Sequence, residues 1–127
     1  IMNKNEINIK DACNFQNQKY KRKFKEFDLL HSKAVEDFEK IVQMIIEKYN
    51  PKQIYQWGSL LSKNKFTDFS DIDIAISGLQ DAETFFQLIA DAEDISSFPL
   101  DIIDLEKIHI LHKKMILDKG KLIYERV

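Results

Sequence analysis

The chain has 127 residues, 44% of them hydrophobic and 31% charged, which is the balance of one globular domain with a modest core. With 19 basic and 21 acidic residues its net charge is −2, and this argues against direct nucleic-acid binding. It has no apolar run long enough to span a membrane, no signal-peptide core and only one cysteine, Cys13, so we expect a cytoplasmic protein without an internal disulfide.

Residues 1–30 are predicted to form a partly helical N-terminal extension, followed by the main domain over residues 31–127. The extension carries a basic cluster between Lys19 and Lys25, with aromatic residues at helical spacing. Two interpretations stay open. The segment is either a helix whose basic face is solvated while its aromatic face covers the core or a partner, or a patch that contacts RNA.

The rest of the chain alternates helical and strand patterns. Apolar residues at three- to four-residue spacing predict a helix over 31–49, which Asn50-Pro51 ends. The further predicted elements are a strand over 53–57, a short helix opened by Ser59, a strand over 71–77, a helix over 81–93 capped by Asp81, a strand within 98–105, a helix from an Asp104 cap to Gly120, and a last short strand over 121–125. The order α-β-α-β-α-β-α predicts an α/β or α+β domain.

Two aspartates stand at the start of the strand over 71–77. Because strand side chains alternate between faces, Asp71 and Asp73 point the same way while the intervening isoleucines point into the core. No Lys or Arg lies between residues 66 and 106 to pair with them locally. The pair is either a solvated strand start or a binding site for a divalent cation, and we prefer the cation site.

A third carboxylate, Asp101, lies inside the apolar strand "PLDIIDL" and needs a partner there. Asp104 has the opposite parity and is more simply explained as a helix cap. If the two strands are neighbours, Asp101 completes a triad with Asp71 and Asp73. Three carboxylates suit Mg²⁺ or Mn²⁺, and two such ions can bind the attacking and leaving oxygens of a phosphoryl or nucleotidyl transfer.

The Gly58-Ser59 pair upstream fits the same chemistry. Glycine lets the backbone approach a phosphate closely, and a serine at a helix start offers its hydroxyl and N–H groups. Alone the pair is a weak signal, since an ordinary strand-to-helix turn also uses these residues. Together with Asp-x-Asp and a third aspartate it predicts a nucleotide site.

The stretch "GSLLSKNKFTDFSDID" resembles the Gly-Ser … Asp-x-Asp signature of the DNA polymerase β-like nucleotidyltransferase superfamily, and the size resembles its minimal nucleotidyltransferases. The resemblance covers roughly residues 31–125 and implies a small mixed sheet flanked by helices. It implies that Asp71, Asp73 and Asp101 are the catalytic metal ligands. Gly58, Ser59, Ser70 and Lys63 would contact the nucleotide.

This sequence departs from the family pattern at two points. Eleven residues separate Ser59 from Asp71, one more than is usual in the family. The arginine and glycine that often follow Gly-Ser are replaced by Leu60-Leu61 and then Lys63-Asn64-Lys65. Either lysine could take the place of the arginine as a phosphate contact.

The resemblance implies transfer of a nucleoside monophosphate, expected to be AMP from ATP, to a hydroxyl group with Mg²⁺ or Mn²⁺ as cofactor. It also implies a separate helical partner of the HEPN type, for which the chain would act as an antitoxin that modifies a partner hydroxyl. The alternatives are a small-molecule, antibiotic-modifying transferase subunit and a catalytically inactive antitoxin that binds by contact alone. A homo-oligomer is a further possibility for the assembly.

Overall fold

Residues 28–61 and 70–127 are described by the structure, a computed structural model, and they form three helices, four strands and a short 3₁₀ turn. The predicted N-terminal extension lies outside the described residues except for residues 28–30, which belong to the first helix. The elements are α1 (28–49), β1 (Gln53–Trp57), the 3₁₀ turn (Ser59–Leu61), β2 (Ile72–Ser77), α2 (Ala82–Ile95), β3 (Leu100–Asp104), α3 (Ile110–Lys119) and β4 (Lys121–Glu125).

The four strands form one mixed sheet in the order β3-β2-β1-β4. Strand β1 pairs antiparallel with both β2 and β4, whereas β2 and β3 are parallel. The parallel pair is joined by α2, as a crossover between parallel strands requires. The backbone N–H of Ile72 donates to the Pro99 carbonyl (2.9 Å) and that of Leu105 to the Ile76 carbonyl (2.9 Å), which extends the parallel ladder at both ends.

Helices cover both faces of the sheet because each face carries apolar side chains. The larger core joins α1 and α2 to one face, where Ile54, Ile72, Ile74 and Ile76 have no solvent exposure. The smaller core joins α3 to the other face through Ala75, Leu105 and Ile116. The predicted alternating fold with a small mixed sheet between helices is therefore confirmed.

The predicted start of the last helix, with Asp104 as its N-cap, is wrong. Asp104 is the last residue of β3, and α3 begins only at Ile110, where His109 is the N-cap. Asp104 Oδ1 accepts instead from the Glu106 N–H (3.0 Å) within a turn. The physical reason is that Leu105 is buried and continues the β-ladder, so the chain cannot begin to coil there. The predicted caps Asp81 and Gly120 are confirmed at α2 and α3.

A buried carboxylate connects α1 to the loop that precedes β3. Asp37 is only 1% exposed, accepts a hydrogen bond from the Ser97 N–H (2.9 Å), and pairs with Lys33 Nζ at 3.2 Å. Burial raises the pKa of Asp37, but the Ser97 N–H and the Lys33 ammonium outweigh that effect and hold this pKa below its usual range. Asp37 thus stabilises the fold as a charged group.

No helix in the described ranges is both long enough and apolar enough to cross a membrane.

Replacement of Asp37 by alanine is expected to lower the free energy of unfolding at neutral pH by about 1–3 kcal/mol, because the Ser97 N–H loses its acceptor. Since the folded-state pKa is lowered, the stabilisation is present above about pH 4 and is lost as pH falls further, so the difference from wild type should shrink in acid. Urea unfolding at neutral pH and in acid below about pH 4 measures the difference in the free energy of unfolding. Glu36→Ala, which breaks the exposed pair with Lys40, is the control and should cost at most about 0.5 kcal/mol. Equal losses for the two variants would contradict this role.

Candidate active site

Three side chains form a row across one face of the sheet. Trp57 at the end of β1 pairs with Asp73 of β2, and Asp73 pairs in register with Asp101 of β3. Partners in register lie on the same face, and this is the face that α3 covers, because Asp73 and Ala75 have the same parity. Asp71 precedes β2 by one residue, is exposed, and has the same parity as Asp73.

The alternation of β2 explains why Asp73 lies on this face while the residues on either side of it lie on the other face. Ile72 and Ile74 are fully buried in the larger core, so the residue between them must point to the opposite face. Parallel pairing then adds Asp101 from β3 at the same level. The sequence pattern places the carboxylates on one face, and the pairing of β2 with β3 brings two of them side by side.

The electrostatics of this row are unfavourable for a carboxylate. Burial, followed by the charges of Asp101 and Asp71, raises the pKa of Asp73 to about 7. The three predicted ligands are therefore near enough to interact. Within residues 28–61 and 70–127, however, no group of three or more His, Cys, Asp or Glu side chains is arranged to hold a metal ion as it stands. The carboxylates interact without forming a closed coordination shell.

A divalent cation fits the donor chemistry of this group. Its oxygen donors are the ligands that Mg²⁺ and Mn²⁺ prefer, and Mg²⁺ commonly binds through one or two carboxylates with water and phosphate completing the shell. The raised pKa of Asp73 reflects burial first and then the negative charges of Asp101 and Asp71, and a cation would neutralise those charges.

The turn after β1 lies directly against Asp73. Gly58 has φ +78°, which disfavours other residues, and a Cβ built there would lie 2.0 Å from Asp73 Oδ2, so a side chain at this position would displace the Asp73 carboxylate. Leu60 is buried in the larger core, and its carbonyl accepts from His31 Nε2 at 3.2 Å. The turn is thereby fixed to α1 as well as to the sheet.

The short helix predicted at Ser59 is a three-residue 3₁₀ turn. A turn this short has almost no helix macrodipole, so only its backbone N–H groups and the Ser59 hydroxyl are available to bind an anion. Ser70 is half-buried directly before Asp71. Lys63, the predicted phosphate contact, and Lys65 lie outside the described residues.

The structure also contains a cleft that the sequence did not indicate. A cavity of about 430 Å³ separates the segment after β1 from the C-terminal half of α3. Its lining residues are Trp57, Gly58, Ser59, Leu61, Met115, Ile116 and Lys119. No motif in the sequence of α3 predicts that this helix lines a cleft, because the position of α3 beside Gly58 depends on how β4 pairs with β1.

Comparison with known proteins identifies the family. Residues 39–127, most of the chain, match the family described as Polymerase beta, Nucleotidyltransferase. The chain therefore belongs to the polymerase beta nucleotidyltransferase family, and the family resemblance seen in the motif is confirmed. No curated protein matches the chain.

Solved structures share the fold at low sequence identity. A chain from a toxin-antitoxin complex with AMP-PNP is 22% identical with a TM-score of 0.57, over 69% of this chain and 73% of that chain. A chain from the toxin-antitoxin MntA-HepT is 19% identical with a TM-score of 0.54, over 71% of each chain. A chain from the complex of a tri-AMPylated Shewanella oneidensis HEPN toxin with its MNT antitoxin is 20% identical with a TM-score of 0.56, over 73% of each chain.

The pKa of Asp73 predicts how stability changes with pH. Its folded-state pKa of about 7 lies above that of an unfolded aspartate, so the folded protein gains stability as pH falls through 7 toward about 4. In metal-free buffer, Asp73→Asn should raise the free energy of unfolding by about 1–2 kcal/mol near pH 8, after allowance for solvent screening, and by much less near pH 5. Asp94→Asn, an exposed control on α2, should have little effect on stability. A pH-independent effect of Asp73→Asn in urea unfolding would refute the assignment.

The contact between Gly58 and Asp73 predicts a second effect. In wild type, Mg²⁺ is expected to raise the melting temperature because it binds the folded site. Gly58→Ala should destabilise the protein by about 1–2 kcal/mol or more and displace the Asp73 carboxylate, so that this Mg²⁺ response is lost. Gly78→Ala is the matched control, because Gly78 also has positive φ (+83°) and its added Cβ would meet Lys52 Cβ at 2.4 Å, away from the aspartates. It should lose stability but keep the Mg²⁺ response. Thermal melts with and without millimolar Mg²⁺ test this, and a full Mg²⁺ response in Gly58→Ala would count against the contact.

Proposed function

We propose that this chain transfers AMP from ATP to a hydroxyl group of a partner protein, with Mg²⁺ or Mn²⁺ as cofactor. The observation that carries the proposal is the in-register pair Asp73 and Asp101 on adjacent parallel strands, beside the Gly58-Ser59 turn. Membership of the nucleotidyltransferase family supports the reaction class. ATP and the divalent cation are both available in the cytoplasm, which remains the expected location.

In this proposal Asp71, Asp73 and Asp101 would hold the metal, which when bound neutralises charge on the triphosphate. The Gly58 and Ser59 backbone N–H groups and the Ser59 hydroxyl contact phosphate oxygens. Gly58 leaves the space that the Asp73 carboxylate occupies, so these two groups are kept side by side. Ser70 and Lys63, which belong to the same motif, would also contact the nucleotide.

Asp101 orients the acceptor hydroxyl. The hydroxyl oxygen attacks the α-phosphorus, the bond from that phosphorus to the bridging oxygen of the β-phosphate breaks, and pyrophosphate leaves. The hydroxyl proton passes to the Asp101 carboxylate and from there to solvent. Asp101 lies one strand beyond Asp73 and on the side away from β1, so the acceptor enters over β3.

We infer that the acceptor belongs to a helical protein of the HEPN type. The supporting observation is the shared fold with chains from toxin-antitoxin complexes, one of which contains an AMPylated HEPN toxin.

The test is an AMP-transfer assay with ATP labelled at the α-phosphate, Mg²⁺ and a helical protein of the HEPN type as the acceptor. Wild type should label that protein, and Asp101→Asn should lower the rate about 100-fold or more, because the acceptor hydroxyl loses its base. Asp104→Asn is the matched control. It lies on the same strand with opposite parity, and its side-chain oxygen can still accept from the Glu106 N–H, so it should transfer at nearly the wild-type rate.

The alternative functions give different results in the same assay. Labelling of an aminoglycoside-type small molecule but not of the protein would indicate the antibiotic-modifying reaction. Tight binding to the helical protein without any labelling would indicate an antitoxin that acts by contact alone. Either result would refute the proposed acceptor, and the second would also refute catalysis.

A further inference from the structure

We propose that the cleft between Trp57 and the C-terminal half of α3 binds the nucleoside moiety of the nucleoside triphosphate. This inference rests on the proposed function and assigns a part of the substrate to a part of the site. The cleft has a volume of about 430 Å³, within the range of about 300–1,000 Å³ that small-molecule pockets occupy.

The chemistry of the lining suits a planar ring better than a phosphate. Of the seven described residues that line it, four are large and apolar: Trp57, Leu61, Met115 and Ile116. Ile116 is almost fully buried and supplies a fixed floor, whereas Leu61 and Met115 are partly exposed and border the opening. Such walls favour a nucleobase, because they remove apolar ring surface from water without having to desolvate a multiply charged group.

The polar part of the lining lies where the phosphates would leave the cleft. Gly58 and Ser59 belong both to the cleft and to the turn that contacts Asp73. A nucleotide whose base lies between Leu61 and Met115 therefore has its phosphates directed toward Asp73 and Asp101. Lys119, a cation among the described lining residues, is exposed at the end of α3 and can pair with a phosphate oxygen at the opening.

The position of the cleft also argues that it does not hold the acceptor. In the sheet order β3-β2-β1-β4, Asp101 lies on one side of Asp73 and the cleft on the other. A direct displacement at phosphorus places the attacking oxygen and the leaving group on opposite sides of the reacting atom. A hydroxyl oriented by Asp101 therefore enters from the β3 side and pyrophosphate leaves toward the β1 side, so the acceptor and the cleft lie on opposite sides of Asp73.

Trp57 provides a direct reporter of this cleft. It is the single tryptophan of the chain, it lines the cleft, and its ring makes an edge-on contact with His112 at 5.6 Å. Its indole Nε1 is buried and has no hydrogen-bond partner among the described residues. A ligand in the cleft changes the surroundings of this indole and hence its fluorescence.

The experiment measures Trp57 fluorescence of the full chain, in the presence of Mg²⁺, during titration with ATP, adenosine and tripolyphosphate. ATP and adenosine are expected to change the emission, whereas tripolyphosphate alone leaves it nearly unchanged. Met115→Ala is expected to raise the Kd for ATP about three- to tenfold, because apolar contact with the nucleoside is lost. The Kd for tripolyphosphate, measured by calorimetry, should stay at the wild-type value.

Leu117→Ala is the matched control. Leu117 lies on the same helix with nearly the same exposure as Met115 (41% against 42%) but does not line the cleft, so its replacement should leave both constants unchanged. Equal effects of the two variants on ATP binding would overturn the inference. An emission change with tripolyphosphate as large as that with ATP would also overturn it, since the cleft would then hold phosphates.

The labelling assay distinguishes failure of this inference from failure of the proposed function. If wild type transfers no AMP, yet ATP and adenosine change Trp57 emission and Met115→Ala weakens ATP binding, the cleft assignment stands and the transfer reaction is refuted. If AMP is transferred but Met115→Ala binds ATP as wild type does, the cleft assignment alone is wrong.

Discussion

The parallel pairing of β2 with β3 is the constraint on which the rest of the site depends. It places the carboxylates of Asp73 and Asp101 on adjacent strands at the same level, an arrangement that their mutual repulsion opposes. What maintains it lies on the other face of the sheet, where the isoleucines of β2 are fully buried between α1 and α2. Burial of each such side chain contributes about 1.5–3 kcal/mol, and this contribution opposes the repulsion between the two carboxylates. Asp37, through the Ser97 N–H, further secures the loop that leads into β3.

Two local features of the site work against stability, and both concern Asp73. Its carboxyl is half-buried and carries a raised pKa of about 7, and the glycine against it adopts a backbone conformation that other residues rarely use. Departures of this kind from locally favourable chemistry concentrate at functional sites, where the surrounding structure supports them. Here that support comes from Leu60, which anchors the turn in the core, and from the His31 contact to its carbonyl.

Helix α3 connects the two edge strands of the sheet, β3 and β4, and its path across the sheet forms one wall of the cleft. It leaves the β3 edge and ends at Gly120, where β4 pairs with β1, so its last turns come to lie beside Gly58. Only Ile116 of this helix is buried, and the side chains around it are left to line the cleft or to face solvent. A helix held by one buried residue and by its two strand connections forms the wall of a site more readily than the centre of a core.

Local patterns in the sequence determined the elements and the faces of the carboxylates. Period-two alternation set the parity of Asp71, Asp73 and Asp101, while the caps Asp81 and Gly120 lie where their backbone chemistry predicts. Tertiary structure alone decided what depends on partners distant in sequence. The Leu105 N–H donates to a carbonyl of β2, so α3 begins only at Ile110. The pairing of β2 with β3 brings together two aspartates that are 28 residues apart in sequence. The pairing of β1 with β4 places α3 where it forms one wall of the cleft. Propensity and periodicity act over a few residues, whereas strand pairing is chosen by the burial of the whole sheet, so no local signal could reveal it.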